Sequence, residues 1–82
     1  MDIKEEIIRR LKAAFEDADI QLADMTGGGD HWEARVVSTT FEGLSRLDRQ
    51  RSVYAALGEL MHGPIHALTF RTLTPEQAEM EN

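Results

Sequence analysis

The sequence predicts an α+β domain in which helices cover one face of a three-stranded mixed sheet. Two segments with helical periodicity flank a pair of alternating segments joined by a glycine-rich loop. A third segment, rich in β-branched and apolar residues, follows the second helix. A helix between two strands is typical of a crossover, which makes those strands parallel neighbours. At 82 residues, the chain is long enough for one small core of this kind.

The first helix is predicted over residues 2–18. Asp2 is the expected N-cap, and Glu5 stands three positions later as its capping-box partner. Apolar residues recur every four positions, and two alanines extend the stripe, so that one face packs in the core. The predicted stripe comprises Ile3, Ile7, Leu11, Phe15, Ala14 and Ala18.

Two strands are predicted next, over residues 20–26 and 31–38. Trp32, Ala34 and Val36 alternate with more polar residues, and three consecutive glycines separate the two segments. This pattern indicates an antiparallel hairpin. The glycines are not typical of a phosphate-binding loop, because such a loop opens onto a helix N-terminus.

A connector over residues 39–44 is expected to contain about one helical turn with Phe41 directed inward. Ser45 and Asp48 form the start signal of the second helix, and the sequence His62-Gly63-Pro64 ends it. The periodicity predicts that one apolar face of this helix packs in the core. That predicted face comprises Leu47, Tyr54, Leu57 and Met61, widened by Val53 and Leu60.

The third strand is predicted over residues 65–73, where β-branched and apolar residues are frequent. Thr74 can cap a short last helix with Pro75 at its first position. The acidic segment 75–82 is expected to behave as a fraying tail. We therefore expect a single domain over residues 1–82, with both long helices on one face of the sheet.

Composition excludes several classes of function. Nine basic and fifteen acidic residues give a net charge of −6, which disfavours general binding to nucleic acid or membrane surfaces. There is no Cys, so disulfides, thiolate catalysis, Cys-based zinc sites and a self-contained iron–sulfur site are excluded. Neither a membrane-spanning run nor a signal peptide is recognisable, and we expect a soluble cytoplasmic protein.

Two histidines are candidate metal ligands. His31 opens the second predicted strand, and His66 lies near the start of the third. If those strands are parallel neighbours about 4.8 Å apart, both imidazoles lie at the same end of the sheet and can bind one metal or flank one ligand. The alternative for His66 is a half-buried histidine bonded to a backbone carbonyl. For His31, it is an exposed residue beside a loop.

Three arginines crowd the first turns of the second helix: Arg46, Arg49 and Arg51. The stretch from Arg35 to Arg71 has a net charge of +2, whereas the rest of the chain has −8. Cations at a helix N-terminus oppose the helix dipole. One interpretation of the three arginines is that they are solvated at the start of the helix. The other is that they form a docking patch for an acidic partner or nucleic acid.

Several of these segments resemble the BolA family. The resemblance rests on FEGLSRLDRQRSVYAAL at residues 41–57, IHALTF at residues 65–70, the Thr74-Pro75 pair, and HWEARVVS at residues 31–38. It implies an αββααβ domain similar to the class II KH fold. It also implies a non-enzymatic partner of a monothiol glutaredoxin, in a heterodimer that shares a 2Fe–2S cluster.

The resemblance further implies a ligand set for that cluster. The glutaredoxin Cys and a glutathione Cys bind from one side, and histidines of the BolA-like protein bind from the other. The family histidine of the Ile-His-Ala-Leu motif corresponds to His66, and the second ligand corresponds to His31, which implies the His-type branch. Thiolates from the glutaredoxin and glutathione agree with the absence of Cys from this chain.

The family is also described as transcriptional regulators, with DNA binding in some members. KH-type binding uses a GXXG loop between two helices, and the matching residues 41–44 keep one of the two glycines. The alternative function is therefore a DNA-binding regulator that uses Arg46, Arg49 and Arg51. An exposed sheet face can also support a homodimer. An enzyme is not expected, because no nucleophile–base pair or catalytic metal motif is present.

Overall fold

The computed structural model describes residues 2–28, 31–62 and 67–81. The elements follow in the order α1 (Ile3–Ala14), β1 (Asp19–Asp24), β2 (His31–Val37), a 3-10 turn (Thr39–Phe41), α2 (Arg46–Leu57), a second 3-10 turn (Gly58–His62), β3 (Ala67–Leu73) and α3 (Pro75–Met80). This order matches the predicted one, including the short last helix after the third strand. No helix in this part of the chain is long and apolar enough to cross a membrane.

The three strands form one mixed sheet in the order β1-β2-β3. β1 pairs with β2 antiparallel, and β2 pairs with β3 parallel, as the hairpin and crossover predict. The even-numbered residues Trp32, Ala34 and Val36 of β2 are buried in a cluster with apolar residues of both long helices. The α1 and α2 helices therefore cover one face of the sheet, and the other face is open to solvent apart from contacts with α3.

The first helix ends at Ala14, four residues earlier than the sequence predicts. The Asp17 carboxylate accepts hydrogen bonds from Ser38 Oγ at 2.6 Å, and from Thr39 N and Oγ1 at 2.9 and 2.7 Å, which draws the chain out of the helix. Ala14 is exposed, contrary to the prediction. The last two residues of the predicted stripe, Phe15 and Ala18, are nevertheless buried, in the turn that follows the helix.

The core-facing side of α2 is narrower than the predicted one, because only part of the predicted face is buried. Val53, Leu57 and Leu60 are buried, whereas Leu47 is 54% exposed and Tyr54 is 45% exposed. Helical periodicity alone does not decide between two apolar sides of one helix, and here α1 packs against the side that carries Val53 and Leu57.

The first residue of α2 and the 3-10 turn before it agree with the prediction. Ser45 caps α2 through its side chain, which accepts from Asp48 N at 3.1 Å, and Phe41 is fully buried in the 3-10 turn. The end differs, because the α-helix stops at Leu57 rather than at His62. Arg10 Nη1 donates to Leu57 O at 2.9 Å, and Gly58 turns the chain with a φ of +52°.

The last helix has the predicted cap. Thr74 Oγ1 accepts from Gln77 N, and the Gln77 side chain accepts from Thr74 N, which forms a capping box ahead of Pro75. The predicted short last helix runs from Pro75 to Met80, and the fraying of the segment 75–82 stays a prediction. No residue of this helix is buried, so its position depends on polar contacts.

Candidate functional site

The first candidate site lies at the end of the sheet where β2 begins with His31, which is exposed. The preceding hairpin loop is organised by Asp24, whose carboxylate accepts from Thr26 N at 3.3 Å and from Gly27 N at 3.0 Å. Met25 N donates to His31 O at 2.8 Å and closes the hairpin from the other strand. The backbone of His31 is therefore held in place at the end of a paired strand.

The register between β2 and β3 places His31 opposite Ala67. Both strands begin at this end of the sheet because they are parallel. His66 precedes Ala67 in the sequence and falls, with residues 63–65, outside the described residues. The parallel arrangement is confirmed, and the convergence of His31 and His66 on one metal stays a prediction.

The donor chemistry at this end of the sheet can be compared with that of an iron–sulfur cluster. The chain has no Cys, and the described residues contain no group of three or more His, Cys, Asp or Glu that can hold a metal ion. Two imidazoles can replace two thiolates on one iron of a 2Fe–2S cluster, as in Rieske centres. Two histidines therefore match in donor type one half of the ligand set of such a cluster.

The second candidate site is a groove of about 540 Å³ between the start of α2, strand β3 and α3. Its polar lining contains Arg46, Arg49 and Arg71, and no described residue that lines it carries a carboxylate. The apolar part of the lining is provided by Leu44, Phe70 and Leu73. The groove thus combines positive charge with an apolar surface.

The three arginines singled out in the sequence have different surroundings. Arg49 is half-buried and donates to Leu44 O at 3.2 Å, Thr72 O at 3.3 Å and Gln77 Oε1 at 2.9 Å. Arg51 is exposed and faces Asp48 at 4.0 Å, outside the groove. Arg46 is exposed and lines the groove, about 140° around the helix from Arg51. The predicted patch is therefore not one continuous surface.

Arg71 completes the positive lining of the groove, and sequence reasoning missed it as a site residue. It belongs to β3, twenty-five positions after Arg46, so no local spacing connects the two. The alternation along β3 places Arg71 on the side of the sheet opposite Phe70, so it does not predict that both residues line one groove.

Hydrogen bonds to the Asp17 carboxylate hold the 3-10 turn that precedes α2. The hydrogen bonds from Ser38 and Thr39 lower the pKa of the Asp17 carboxyl to about 2. Ser38 is fully buried, and its Oγ also accepts from Thr40 N at 3.1 Å. Gly43 then adopts a φ of +78°, which favours glycine and redirects the chain toward α2.

Comparisons with known proteins give a consistent result. The family described as BolA-like protein matches residues 10–77. BolA-like protein 1 of Bos taurus is 40% identical over 75 residues, which cover 83% of this chain and 56% of that protein, so the chain spans about half the length of this curated relative. The DNA-binding transcriptional regulator BolA of Escherichia coli (strain K12) is 31% identical, with 96% of this chain and 82% of that protein covered. A crystal structure of a Bol-like protein from Babesia bovis superimposes with a TM-score of 0.84 at 36% identity and covers 96% of this chain and 92% of that one.

Proposed function

Because this chain belongs to the BolA family, we propose that it is a non-enzymatic adaptor that pairs with a monothiol glutaredoxin and co-ligates a bridging 2Fe–2S cluster. The adaptor acts in iron–sulfur cluster trafficking or in iron and redox regulation, in the cytoplasm. The family resemblance suggests this role, and the absence of Cys is compatible with it, because the thiolates come from the glutaredoxin and glutathione.

One structural observation carries the proposal. β2 and β3 are parallel and start at the same end of the sheet, with His31 opposite the residue that follows His66 in the sequence. Neighbouring strands are about 4.8 Å apart, which is compatible with two side chains that share one iron. An antiparallel pairing would have separated the two strand starts by the length of the sheet.

In this role the chain supplies two imidazoles, and the backbone of one of them, His31, belongs to a paired strand. The cluster, as cargo, brings the iron and sulfide. Ligand replacement of thiolate by imidazole raises the reduction potential of a 2Fe–2S centre. The hairpin contacts around Asp24 and Met25 hold the His31 backbone before the second molecule arrives.

Reconstitution tests the proposal. The protein is mixed with a monothiol glutaredoxin, glutathione, iron and sulfide, and the visible absorption and circular dichroism are recorded. We expect a heterodimer spectrum that differs from that of the glutaredoxin homodimer and that is lost in His66→Ala and altered in His31→Ala. His62→Ala is the matched control, because it removes the third histidine of the chain and leaves the candidate ligands in place. An unchanged glutaredoxin spectrum and no complex with the wild-type protein would refute the adaptor role.

The groove supports a second candidate function, binding to DNA. Arg46 is exposed in the groove and favours contact with a phosphate backbone, whereas Arg71 is ion-paired with Glu81. One relative is named as a DNA-binding transcriptional regulator. Affinity for a duplex should then fall steeply with salt, because each neutralised phosphate releases counterions. Arg46→Ala is expected to weaken binding and reduce the salt slope by about 1, while the cluster spectrum stays unchanged. Equal affinity of Arg46→Ala and the wild type would exclude this role for the groove.

A further inference from the structure

Two arginines lie side by side on the open face of the sheet. Arg35 of β2 and Arg71 of β3 are direct partners in the parallel register. Like charges placed opposite each other on neighbouring strands destabilise a sheet. The pair therefore needs an anion between or above the two guanidinium groups.

In this chain, the anion is the carboxylate of Glu81. Its Oε1 accepts from Arg35 Nε at 3.2 Å and from Arg35 Nη2 at 3.1 Å, and its Oε2 accepts from Arg71 Nη2. The Glu81 side chain is 24% exposed and that of Arg35 is 26% exposed, so this contact is partly shielded from solvent. The geometry shows that one carboxylate can bind both arginines at once.

The helix that brings Glu81 to this position is weakly attached. α3 has six residues and none of them is buried. Apart from its own capping box, the side-chain bonds that join this helix and Glu81 to the other described residues are the bond from Arg49 to Gln77 and the two ion pairs of Glu81. A helix this short is marginal without tertiary packing, so α3 belongs to the part of a fold that opens at low cost.

We propose that Arg35 and Arg71 form a carboxylate-binding site for an acidic segment of a protein partner, and that Glu81 occupies this site in the free chain. The partner segment displaces α3 and presents its own carboxylate to the two guanidinium groups. This site is distinct from the end of the sheet that carries His31, since Arg35 is four residues, or about 13 Å, farther along β2.

The surroundings favour a peptide over a nucleic acid. A shallow depression of about 270 Å³ borders the pair, and Gln21, Ala23 and Glu33 contribute to its lining. The carboxylate of Glu33 lies beside the two arginines and repels a continuous row of phosphates. A single carboxylate can approach the arginines from the side away from Glu33. The amide of Gln21 offers a hydrogen-bonding group to a peptide backbone.

The test uses the full chain and a synthetic peptide with the sequence of residues 74–82, TPEQAEMEN, as the probe. Peptide binding is followed by amide chemical shifts in the wild type, Glu81→Gln and Glu79→Gln. The last two variants have the same net charge and alter the same region of the chain, but in the described part of the chain the ion pairs with Arg35 and Arg71 are made by Glu81 and not by Glu79. We expect Glu81→Gln to bind the peptide about tenfold more tightly than the wild type, because a tethered group competes at an effective concentration of the order of millimolar.

Further variants and control ligands identify the binding site and the class of ligand. Amide shifts are expected to centre on Arg35 and Arg71, and adding Arg35→Gln to Glu81→Gln should abolish the gain. A peptide with its three Glu replaced by Gln should not bind. Equal affinities of Glu81→Gln and Glu79→Gln would overturn the proposal. A gain of affinity for a 20-base-pair duplex without a gain for the peptide would overturn it in favour of nucleic acid.

Discussion

Replacement of Arg49 with alanine is expected to destabilise the protein far more than replacement of Arg46 or Arg51. Arg49 donates hydrogen bonds to Leu44 O, Thr72 O and Gln77 Oε1, and its guanidinium carbon lies 5.9 Å from the centre of the Phe41 ring. Hydrogen bonds to a charged group contribute about 1.5–3 kcal/mol each and a cation–π contact about 0.5–1 kcal/mol. Two of the three bonds are longer than 3.1 Å and all are partly solvated, so we expect a total loss of about 2–3 kcal/mol.

Thermal unfolding followed by circular dichroism measures this difference. In a domain of this size, each kcal/mol shifts the Tm by roughly 4–8 °C, so Arg49→Ala should melt about 10–20 °C below the wild type. Arg46→Ala and Arg51→Ala are matched controls on the same helix, and each should remain within about 0.5 kcal/mol of the wild type. If Arg49→Ala melts together with the two controls, the reasoning that assigns a structural role to Arg49 is wrong.

This experiment also decides how binding data on the arginines are interpreted. Loss of binding in Arg49→Ala would include the loss of folded protein, since Arg49 joins the turn before α2 to β3 and α3. Arg46 is therefore the informative position in the groove, and Arg51 is a control outside it.

Three other outcomes are expected. Gly58→Ala should cost about 1–3 kcal/mol in urea unfolding, since Gly58 has a φ of +52°, and a wild-type midpoint would contradict this. In the folded protein the pKa of the Asp17 carboxyl is lowered to about 2 from 3.8, so its contribution to folding stability is present above pH 3.8 and is lost as the pH falls toward 2. The Tm difference between the wild type and Asp17→Asn should therefore be full at neutral pH and shrink between pH 3.8 and 2. A Tm difference that stays constant over this interval would refute the assignment. Leu57→Ala should cost about 2–5 kcal/mol, whereas exposed Leu47→Ala should cost less than about 0.5 kcal/mol, and similar losses at both positions would favour the face predicted from the sequence.

Local sequence signals predicted the elements and their connections well. The caps at Ser45 and Thr74 depend on side chains that bond to backbone three residues away, so the sequence contains both participants. The hairpin and the parallel crossover also follow from turn residues and element order. These features suffice to predict that His31 lies at the end of the sheet where β2 and β3 begin.

Features that depend on distant residues were not predictable in the same way. The acceptors of Arg49 lie up to twenty-eight positions away, and Glu81 binds an arginine forty-six positions earlier. The early end of α1 depends on Ser38 and Thr39, which follow Asp17 by more than twenty residues. In each case, the local pattern was compatible with two arrangements, and a contact made by the folded chain selected one.

The parallel pairing of β2 with β3 has a consequence for the order of folding. It joins residue 31 to residue 67, thirty-six positions later, whereas β1 and β2 meet across a short loop. Closing a loop of this length costs about 3 kcal/mol of chain entropy before the pairing is formed, so the hairpin can form early and β3 docks late. The two candidate ligands belong to segments that join in that late step. An incompletely folded chain, such as a nascent one, would therefore present the two histidines separately.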